Sequence, residues 1–279
     1  MGGFHGMTKD RDGHLGIYYC EHLVTSKCNF NCSFCNSVDS SDDQPLSFIL
    51  DVIKYLESRG CKFYHITGGE PTVRDDIVDI VSAANRMTVR MSTNGSADIG
   101  LYEEIFKAGC RSFAISLHDK NAYVISVIEF LVGIGADVQI GTVDSSNEML
   151  KFISDLGVSD IKIGTISQSE SSVIDGLIDM PEHEIMSYRV KRFSKGLGMR
   201  GTLKSDKCFL ALDDVSIKGI HHYPCAVYIR EGGDPIGEFG SEMMDERDEW
   251  YSTHSSYDDP ICSKYCMDFK CDYNGRNEI

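Results

Sequence analysis

The sequence predicts an α/β protein built on a parallel sheet, and three observations carry that expectation. Between residue 15 and about residue 168, β-rich segments alternate six times with segments whose apolar residues recur at helical spacing, a pattern that places crossover helices between parallel strands. Glycines stop the helical segments, as at Gly60, Gly109 and Gly157, where a residue free to adopt left-handed backbone ends a helix cheaply. Finally, the polar clusters that could do chemistry each follow a strand: the cysteine-rich loop, Gly68-Gly69-Glu70-Pro71, Thr93-Asn94-Gly95 and Ser116-Leu117-His118-Asp119. In parallel α/β barrels that end of the strands carries the active site.

In chain order, LGIYYCEHLVT at 15–25 is rich in β-branched and aromatic residues and reads as a first strand ending at the cysteine loop. LSFILDVIKYLESR at 46–59 has helical apolar spacing, with Pro45 at its start and Gly60 after it. A strand at 62–67 runs into Gly68-Gly69-Glu70-Pro71, and a helix follows at 75–86. The pattern repeats as strand 89–93 and helix 99–108, strand 112–117 and helix 123–132, strand 137–143 and helix 147–156, and strand 161–166. One more helix is expected over 181–197, EHEIMSYRVKRFSKGL in its basic part.

A chain of 279 residues buries a sizeable core, and 42% hydrophobic with 25% charged residues places it among globular proteins. Its longest apolar run is far short of a membrane span. The polar, glycine-rich start MGGFHGMTKDRDGH lacks the apolar core of a signal peptide. Eleven cysteines in that context argue for metal binding in a reducing, cytoplasmic compartment over a disulfide framework. A net charge of −16 argues against a nucleic-acid groove, which needs a basic surface. Charge is uneven: residues 189–207 are basic, with Asp206 the lone acid, and residues 231–259 are acidic, with Arg247 the lone cation. Two solvated faces account for this, and so does a basic lip for an anionic substrate.

The chemistry centres on Cys28-Asn29-Phe30-Asn31-Cys32-Ser33-Phe34-Cys35, a C-x3-C-x2-C arrangement. Three thiolates at this spacing can hold three irons of a cubane and leave the fourth open to a reactant. Structural zinc, the alternative, wants four ligands and usually paired C-x2-C units. One strand–helix unit later stands CKFYHITGGEP at 61–71; taken alone its Gly-Gly-Glu-Pro is a turn before a helix. Together and in this order the two stretches resemble the signature of the radical SAM superfamily, over about residues 15–170.

The resemblance implies a partial (β/α)6 parallel barrel over 15–180, after a short segment at 1–14, with 181–279 as a linker helix and a cysteine-rich extension. It implies that Cys28, Cys32 and Cys35 hold a [4Fe–4S] cluster whose open iron takes S-adenosylmethionine, and that a flavodoxin- or ferredoxin-type partner supplies the electron. Gly68, Gly69 and Glu70 are expected at the amino group of S-adenosylmethionine, the glycines for close backbone approach and the carboxylate to neutralise the ammonium. Phe34 is expected beside the adenine, Thr93 and Asn94 at the methionine moiety, and Ser116 at the carboxylate or ribose. The plainer reading of the last three is strand-end turn residues. His118 and His65 are candidate substrate contacts or general bases, though a single histidine near a strand end is more often structural. Cys20, Cys61 and Cys110 read as buried thiols that pack as small hydrophobes.

From 208 to 271 the chain has five cysteines, Cys208, Cys225, Cys262, Cys266 and Cys271, after none between 111 and 207. A second metal site is the physical reading. The region resembles the SPASM/twitch extension of radical SAM enzymes, whose shorter form implies one auxiliary [4Fe–4S] cluster. The ligands expected are Cys208, Cys225, Cys262 and Cys266, with Cys271 as the alternative to Cys266; a zinc site from the same thiolates is the rival. The leading expectation is an enzyme acting on a small-molecule or nucleotide-like substrate, since the 27 residues before Cys28 are too few for a peptide-recognition domain. A peptide-modifying enzyme, a methylase and a non-catalytic electron-transfer protein are the alternatives.

Overall fold

The computed structural model describes residues 17–33, 35, 43–144, 146–165, 191–192 and 206–266. Its first part follows the predicted alternation: β1 (Tyr19–Thr25), α1 (Leu46–Ser58), β2 (Phe63–Gly68), α2 (Ile77–Ala83), β3 (Thr88–Thr93), α3 (Ile99–Ala108), β4 (Ser112–Ser116), α4 (Ala122–Gly133), β5 (Asp137–Thr142), α5 (Asn147–Asp155) and β6 (Asp160–Thr165). A short 3-10 turn at Pro71–Val73 follows β2. Strands β1 to β6 pair in parallel, each with its sequence neighbour.

Local sequence explains the elements. In α1, Ile49, Val52, Ile53 and Leu56 repeat at three- and four-residue intervals and are all buried. Three helix starts are capped by side chains, which accept otherwise orphaned amides. Asp98 accepts from Gly100 at α3, Asn121 from Tyr123 and Val124 at α4, and Ser146 from Met149 at α5. Gly109, with φ 129°, ends α3 in backbone that only glycine adopts freely.

Strand residues alternate between two faces. Tyr64, Ile66, Val89, Met91, Phe113, Ile115, Val138 and Ile140 are buried and join the helix residues in one apolar core. The opposite face is polar. There Tyr19 Oη meets His65 Nδ1 at 2.6 Å, and His65 Nε2 meets Ser92 Oγ at 2.8 Å. Arg90 reaches Gln139, which reaches Asp160. Parallel strands packed on both faces read as continuous apolar runs; these do not, because their inner face lines a cavity and its polar side chains bond to one another.

The C-terminal part continues the same sheet. A two-residue strand β7 (Lys191–Arg192) pairs with β6. Then come α6 (Leu210–Asp213), β8 (Asp214–Lys218), β9 (His221–Tyr223), α7 (Ala226–Glu231), β10 (Gly237–Glu238), α8 (Met243–Thr253) and α9 (Cys262–Tyr265). The sheet is open and ten-stranded, in the order β10-β9-β8-β1-β2-β3-β4-β5-β6-β7. Strand β8 lies parallel to β1, with Tyr19 opposite Asp214 and Leu23 opposite Lys218, while β9 and β10 are antiparallel. The helix expected over 181–197 is corrected at the two residues described: the backbone of Lys191 and Arg192 is extended because it pairs with Gly164 and Thr165. The rest of that stretch lies outside the described residues. Among the described residues, no helix is long and apolar enough to cross a membrane.

Arg247 on α8 fastens this extension. It is wholly buried, donates to the Tyr223 carbonyl at 3.0 Å and bonds the Asp214 carbonyl, so it joins α8 to β8 and β9. His222 on β9 meets Glu246 on α8 at 2.9 Å.

Candidate active site and cysteine centres

A cavity of about 340 Å³ opens at the C-terminal ends of the central strands, and Cys28, Cys32 and Cys35 all line it. The loop bearing them leaves β1 directly. The Cys35 amide donates to the Cys32 carbonyl at 3.0 Å, a tight turn that brings the last two cysteines together. Burial and the neighbouring Cys35 and Cys28 sulfurs push the Cys32 thiol up.

The root of this loop is clamped to Gly68-Gly69-Glu70. The Gly69 amide donates to the Thr25 carbonyl at 2.9 Å and the Glu70 amide to the Lys27 carbonyl at 2.8 Å. A Cβ on Gly68 would lie 2.1 Å from the Thr25 oxygen, and one on Gly69 2.1 Å from the Lys27 oxygen. The close approach that these glycines permit is therefore to the chain's own backbone at the exit of β1. Both glycines also line the cavity.

Glu70 is held by the chain itself. It is wholly buried, and its carboxylate bonds Thr93 and Asn94, which line the cavity. Oε1 accepts from the Thr72 amide at 3.1 Å, the Thr72 hydroxyl at 2.7 Å and the Thr93 hydroxyl at 2.7 Å, and Oε2 accepts from the Asn94 amide at 2.5 Å. Burial pushes its carboxyl up, and these hydrogen bonds pull it back down. Its carboxylate thus ties the end of β3 to the loop after β2. Arg74 extends the tie: it donates to the Val24 and Gln44 carbonyls at 2.9 and 3.1 Å and grips Asp76 with two bonds of 2.8 Å.

Thr93, Asn94 and Ser116 line the cavity, as does His118. Thr93 is mainly a link, bonded to Glu70 and to Tyr102 Oη at 2.8 Å. Asn94 Nδ2 donates to Asn29 Oδ1 at 2.8 Å and sits 4.0 Å from Cys28 Sγ, which joins β3 to the cysteine loop. Burial lowers the proton affinity of His118, partly offset by Asp119. His65 is held between Tyr19 and Ser92, and of these three residues Ser92 lines the cavity. Phe34 and Cys271 lie outside the described residues. Cys20, Cys61 and Cys110 are buried, and burial pushes the Cys61 and Cys110 thiols up to about 12, as expected of inert thiols.

Sequence reading missed three cations on the cavity wall: Lys162 on β6, Lys218 at the end of β8, and Arg230 on α7. The two lysines come from opposite flanks of the β1–β5 array. Period-two alternation was a usable signal for Lys162, which stands between Ile161 and Ile163 in a strand that was predicted. Lys218 and Arg230 depended on the non-local pairing of β8 with β1.

The C-terminal cysteines are gathered by three segments. The Lys207 ammonium bonds the Ser252 and His254 carbonyls at 2.9 and 2.8 Å, and Asp206 accepts from the Ser255 hydroxyl and Ser256 amide at 2.6 and 2.8 Å. These bonds carry Cys208 to the end of α8. Tyr228 on α7 donates to Asp259 at 2.7 Å, joining Cys225 to the turn before Cys262. Burial raises the Cys262 thiol strongly, and negative charge on Cys225, Asp259, Cys208 and Cys266 raises it further, so the four sulfurs share one neighbourhood. Among the described residues, the compact metal-competent group within 4.8 Å is His254, Asp259 and Cys262, and no three cysteine sulfurs are that close. A tetrahedral zinc with Zn–S bonds of ~2.3 Å would hold its sulfurs roughly 3.8 Å apart. Thiols gathered in this way are the donor type of iron–sulfur clusters and of zinc alike.

The sequence profile of the radical SAM superfamily matches residues 23–165, more than half of the 279-residue chain. The chain belongs to the radical SAM superfamily. Membership implies a [4Fe–4S] cluster and S-adenosylmethionine, and Cys28, Cys32 and Cys35 line one cavity together with Gly68 and Gly69. Among its relatives, the GTP 3',8-cyclase of Pasteurella multocida is 25% identical over 257 residues, covering 82% of this chain and 71% of the relative. The probable GTP 3',8-cyclase of Thermoplasma volcanium is 30% identical over 166 residues, 57% of this chain. Here the chain spans 48% of the relative's length, and in a Clostridium perfringens GTP 3',8-cyclase 36%. Among radical SAM structures, SuiB of Streptococcus suis bound to S-adenosylmethionine shares the fold at a TM-score of 0.64 and 14% identity, over 90% of this chain and 69% of that one. The AdoMet-bound anSMEcpe matches at 0.60 and 13%, over 84% and 80%.

Proposed function

We propose that this radical SAM enzyme acts on a small, anionic, nucleotide-like substrate, with an auxiliary [4Fe–4S] cluster in its C-terminal extension. The observation that carries the substrate class is the set Lys162, Lys218 and Arg230, the last paired with Glu231 at 2.6 Å, against the one carboxylate of Glu21 on the wall of the cavity that the cysteine triad also lines. Three cations in a partly enclosed site favour phosphate or carboxylate groups, because low-dielectric walls strengthen their field. Similarity to GTP 3',8-cyclases supports the same class.

Cys28, Cys32 and Cys35 would hold the cluster, which would supply the one-electron reduction of S-adenosylmethionine that begins hydrogen abstraction from the substrate. The chain's own work is to bind, orient and exclude water. Gly68 and Gly69 offer backbone to the amino group, Asn94 and Ser116 offer polar side chains within the cavity, and the cations hold the substrate's charge. His118, lining the same cavity, is the proposed substrate contact or proton acceptor. In this reading residues 15–180 form the catalytic unit and 181–279 the extension. Cys208, Cys225 and Cys262, with Cys266 or Cys271, hold the auxiliary cluster for substrate oxidation or binding, and a flavodoxin- or ferredoxin-type protein is the electron donor. Helix α7 favours this arrangement: Ala226, Val227, Ile229 and Arg230 line the cavity, while Cys225 at its start belongs to the second cysteine group.

Two measurements test the proposal. Reconstituted enzyme is reduced with S-adenosylmethionine and a panel of nucleoside triphosphates, and 5′-deoxyadenosine is followed by chromatography. Stimulation by a nucleotide that weakens in Lys218→Met supports it; stimulation by peptides alone assigns a peptide substrate, and no 5′-deoxyadenosine despite intact clusters assigns an electron carrier. Iron and sulfide analysis with EPR is also made on the Cys28→Ala/Cys32→Ala/Cys35→Ala variant. One reducible four-iron cluster should remain; zinc in its place would refute the auxiliary cluster.

A further inference from the structure

Beside the second cysteine group lies a histidine that no sequence motif marked. His254, one residue past α8, places Nε2 3.7 Å from Cys262 Sγ. It is held there from three directions. Its ring stacks on Trp250 with centroids 3.8 Å apart and planes 17° from parallel. Its amide donates to the Trp250 carbonyl at 2.8 Å, and its carbonyl accepts from the Lys207 ammonium at 2.8 Å. A side chain so fixed loses little freedom when it bonds a ligand group.

His254, Asp259 and Cys262 have the composition of a small metal site, but Asp259 is already committed. Its Oδ1 accepts the amides of Ile261 and Cys262 at 2.8 and 2.7 Å, and its Oδ2 accepts the Tyr228 hydroxyl at 2.7 Å. Asp259 is the brace that presents Cys262, which leaves His254 and Cys262 facing each other. A nitrogen and a sulfur 3.7 Å apart are too close to ligate different irons of one cubane, whose metal vertices are themselves separated. They are well placed for an N–H···S hydrogen bond. A ligating thiolate only accepts, so Nε2 carries the hydrogen.

We propose that His254 donates Nε2–H to the Cys262 thiolate and raises the reduction potential of the C-terminal cluster, acting as a positioning and tuning residue. The inference rests on the auxiliary-cluster reading above. The physical cause is electrostatic. Reduction adds one electron to a cluster that its thiolates already make negative, and a donor aimed at a ligand sulfur stabilises the more negative state. The expected size is a roughly tenfold shift of the reduction equilibrium, equivalent to about 59 mV for a one-electron couple.

The test uses the full chain with Cys28, Cys32 and Cys35 replaced by Ala, so that the second cluster alone is titrated by EPR against dye mediators. His254→Phe keeps a ring on Trp250 and removes the donor; His254→Gln keeps a donor. The expected result is a full four-iron content in all three proteins, a midpoint about 59 mV lower in His254→Phe, and a midpoint nearer the parent in His254→Gln. Equal midpoints in all three overturn the proposal, and so does loss of iron in both variants, which would make His254 a ligand. Pulsed EPR of the parent labelled with 15N-histidine needs no substitution at 254. A weak nitrogen coupling supports the hydrogen bond, while a strong coupling or none overturns it. Failure of the underlying reading looks different: the parent itself then holds no reducible four-iron cluster.

Discussion

Glu70→Gln separates two roles for the most buried charge near the active site. The carboxylate accepts four hydrogen bonds, three at Oε1 and one at Oε2. In the better of its two orientations, glutamine keeps its oxygen toward Thr72 and Thr93 and turns its NH2 group toward the Asn94 amide. That forfeits one charge-assisted bond, worth about 1.5–3 kcal/mol, and leaves two donors abutting in a buried place, at a further 1–3 kcal/mol. The remaining bonds weaken as the acceptor becomes neutral. Relief from burying a charge, the same effect that pushes the Glu70 carboxyl up, opposes these losses, and the net expectation is about 3 kcal/mol. With a urea m-value of roughly 3 kcal/mol/M for a chain of this size, the unfolding midpoint should fall by about 1 M. Urea unfolding of the apo chain under reducing conditions measures this directly. A parent-like midpoint together with lost S-adenosylmethionine affinity would refute the reasoning and restore a direct carboxylate–ammonium contact.

Gly69→Ala puts a Cβ against the backbone oxygens of Lys27 and Ser26, at 2.1 and 2.8 Å, and should cost about 2–4 kcal/mol from overpacking and a strained Glu70–Lys27 bond; iron retention and urea midpoint should fall together. Arg74→Met removes donors to the Val24 and Gln44 carbonyls and strands Asp76, so stability should fall by about 3 kcal/mol. A double-mutant cycle with Asp76→Ala should recover part of it as coupling. His22 is buried between Tyr64 Oη and Gln44 Oε1, both at 2.7 Å, and burial lowers it from 6.5 to about 4. The unfolded chain then takes the proton first, so stability is complete above pH 6.5 and declines as pH falls toward 4, by up to about 3 kcal/mol. His22→Asn should reduce the slope of stability against pH in that window by about one proton; an unchanged slope would show that His22 does not titrate there.

The six strand–helix units were legible because each is specified locally. Apolar spacing buries Ile49, Val52, Ile53 and Leu56 on one side of α1, and period-two alternation sorts Val89, Met91 and Thr93 from Arg90 and Ser92. Cysteine spacing located both sulfur groups for a similar reason: ligand chemistry is carried by residue type. What was not legible depended on pairing across the chain. DVSIK at 214–218 joins β1 from almost two hundred positions away, and no local pattern states that register. The hydrogen bonds of Glu70 were hidden by the same limit, since its partner Thr93 ends the next strand and Asn94 follows it. A motif names residues that are needed; only the packing shows whether a side chain or the backbone beside it meets the ligand.

That distinction also explains why the extension adds to this sheet. A partial barrel leaves β1 as an edge with unpaired backbone groups, next to the loop that holds Cys28, Cys32 and Cys35. Pairing β8 to β1 from Tyr19–Asp214 to Leu23–Lys218 satisfies that edge and stiffens the strand from which the cysteine loop departs. The same five-residue strand sets Lys218 on the cavity wall, and the β9 return leads through Cys225 into α7 with Arg230. One strand pairing thus braces the first cysteine loop, positions two of the three cavity cations and brings the second cysteine group alongside. Breaking it with Ser216→Pro, which removes an amide from the middle of the ladder, should therefore lower iron at both centres at once. Loss at the C-terminal centre alone, read by EPR on the otherwise intact chain, would show that the barrel does not depend on its extension.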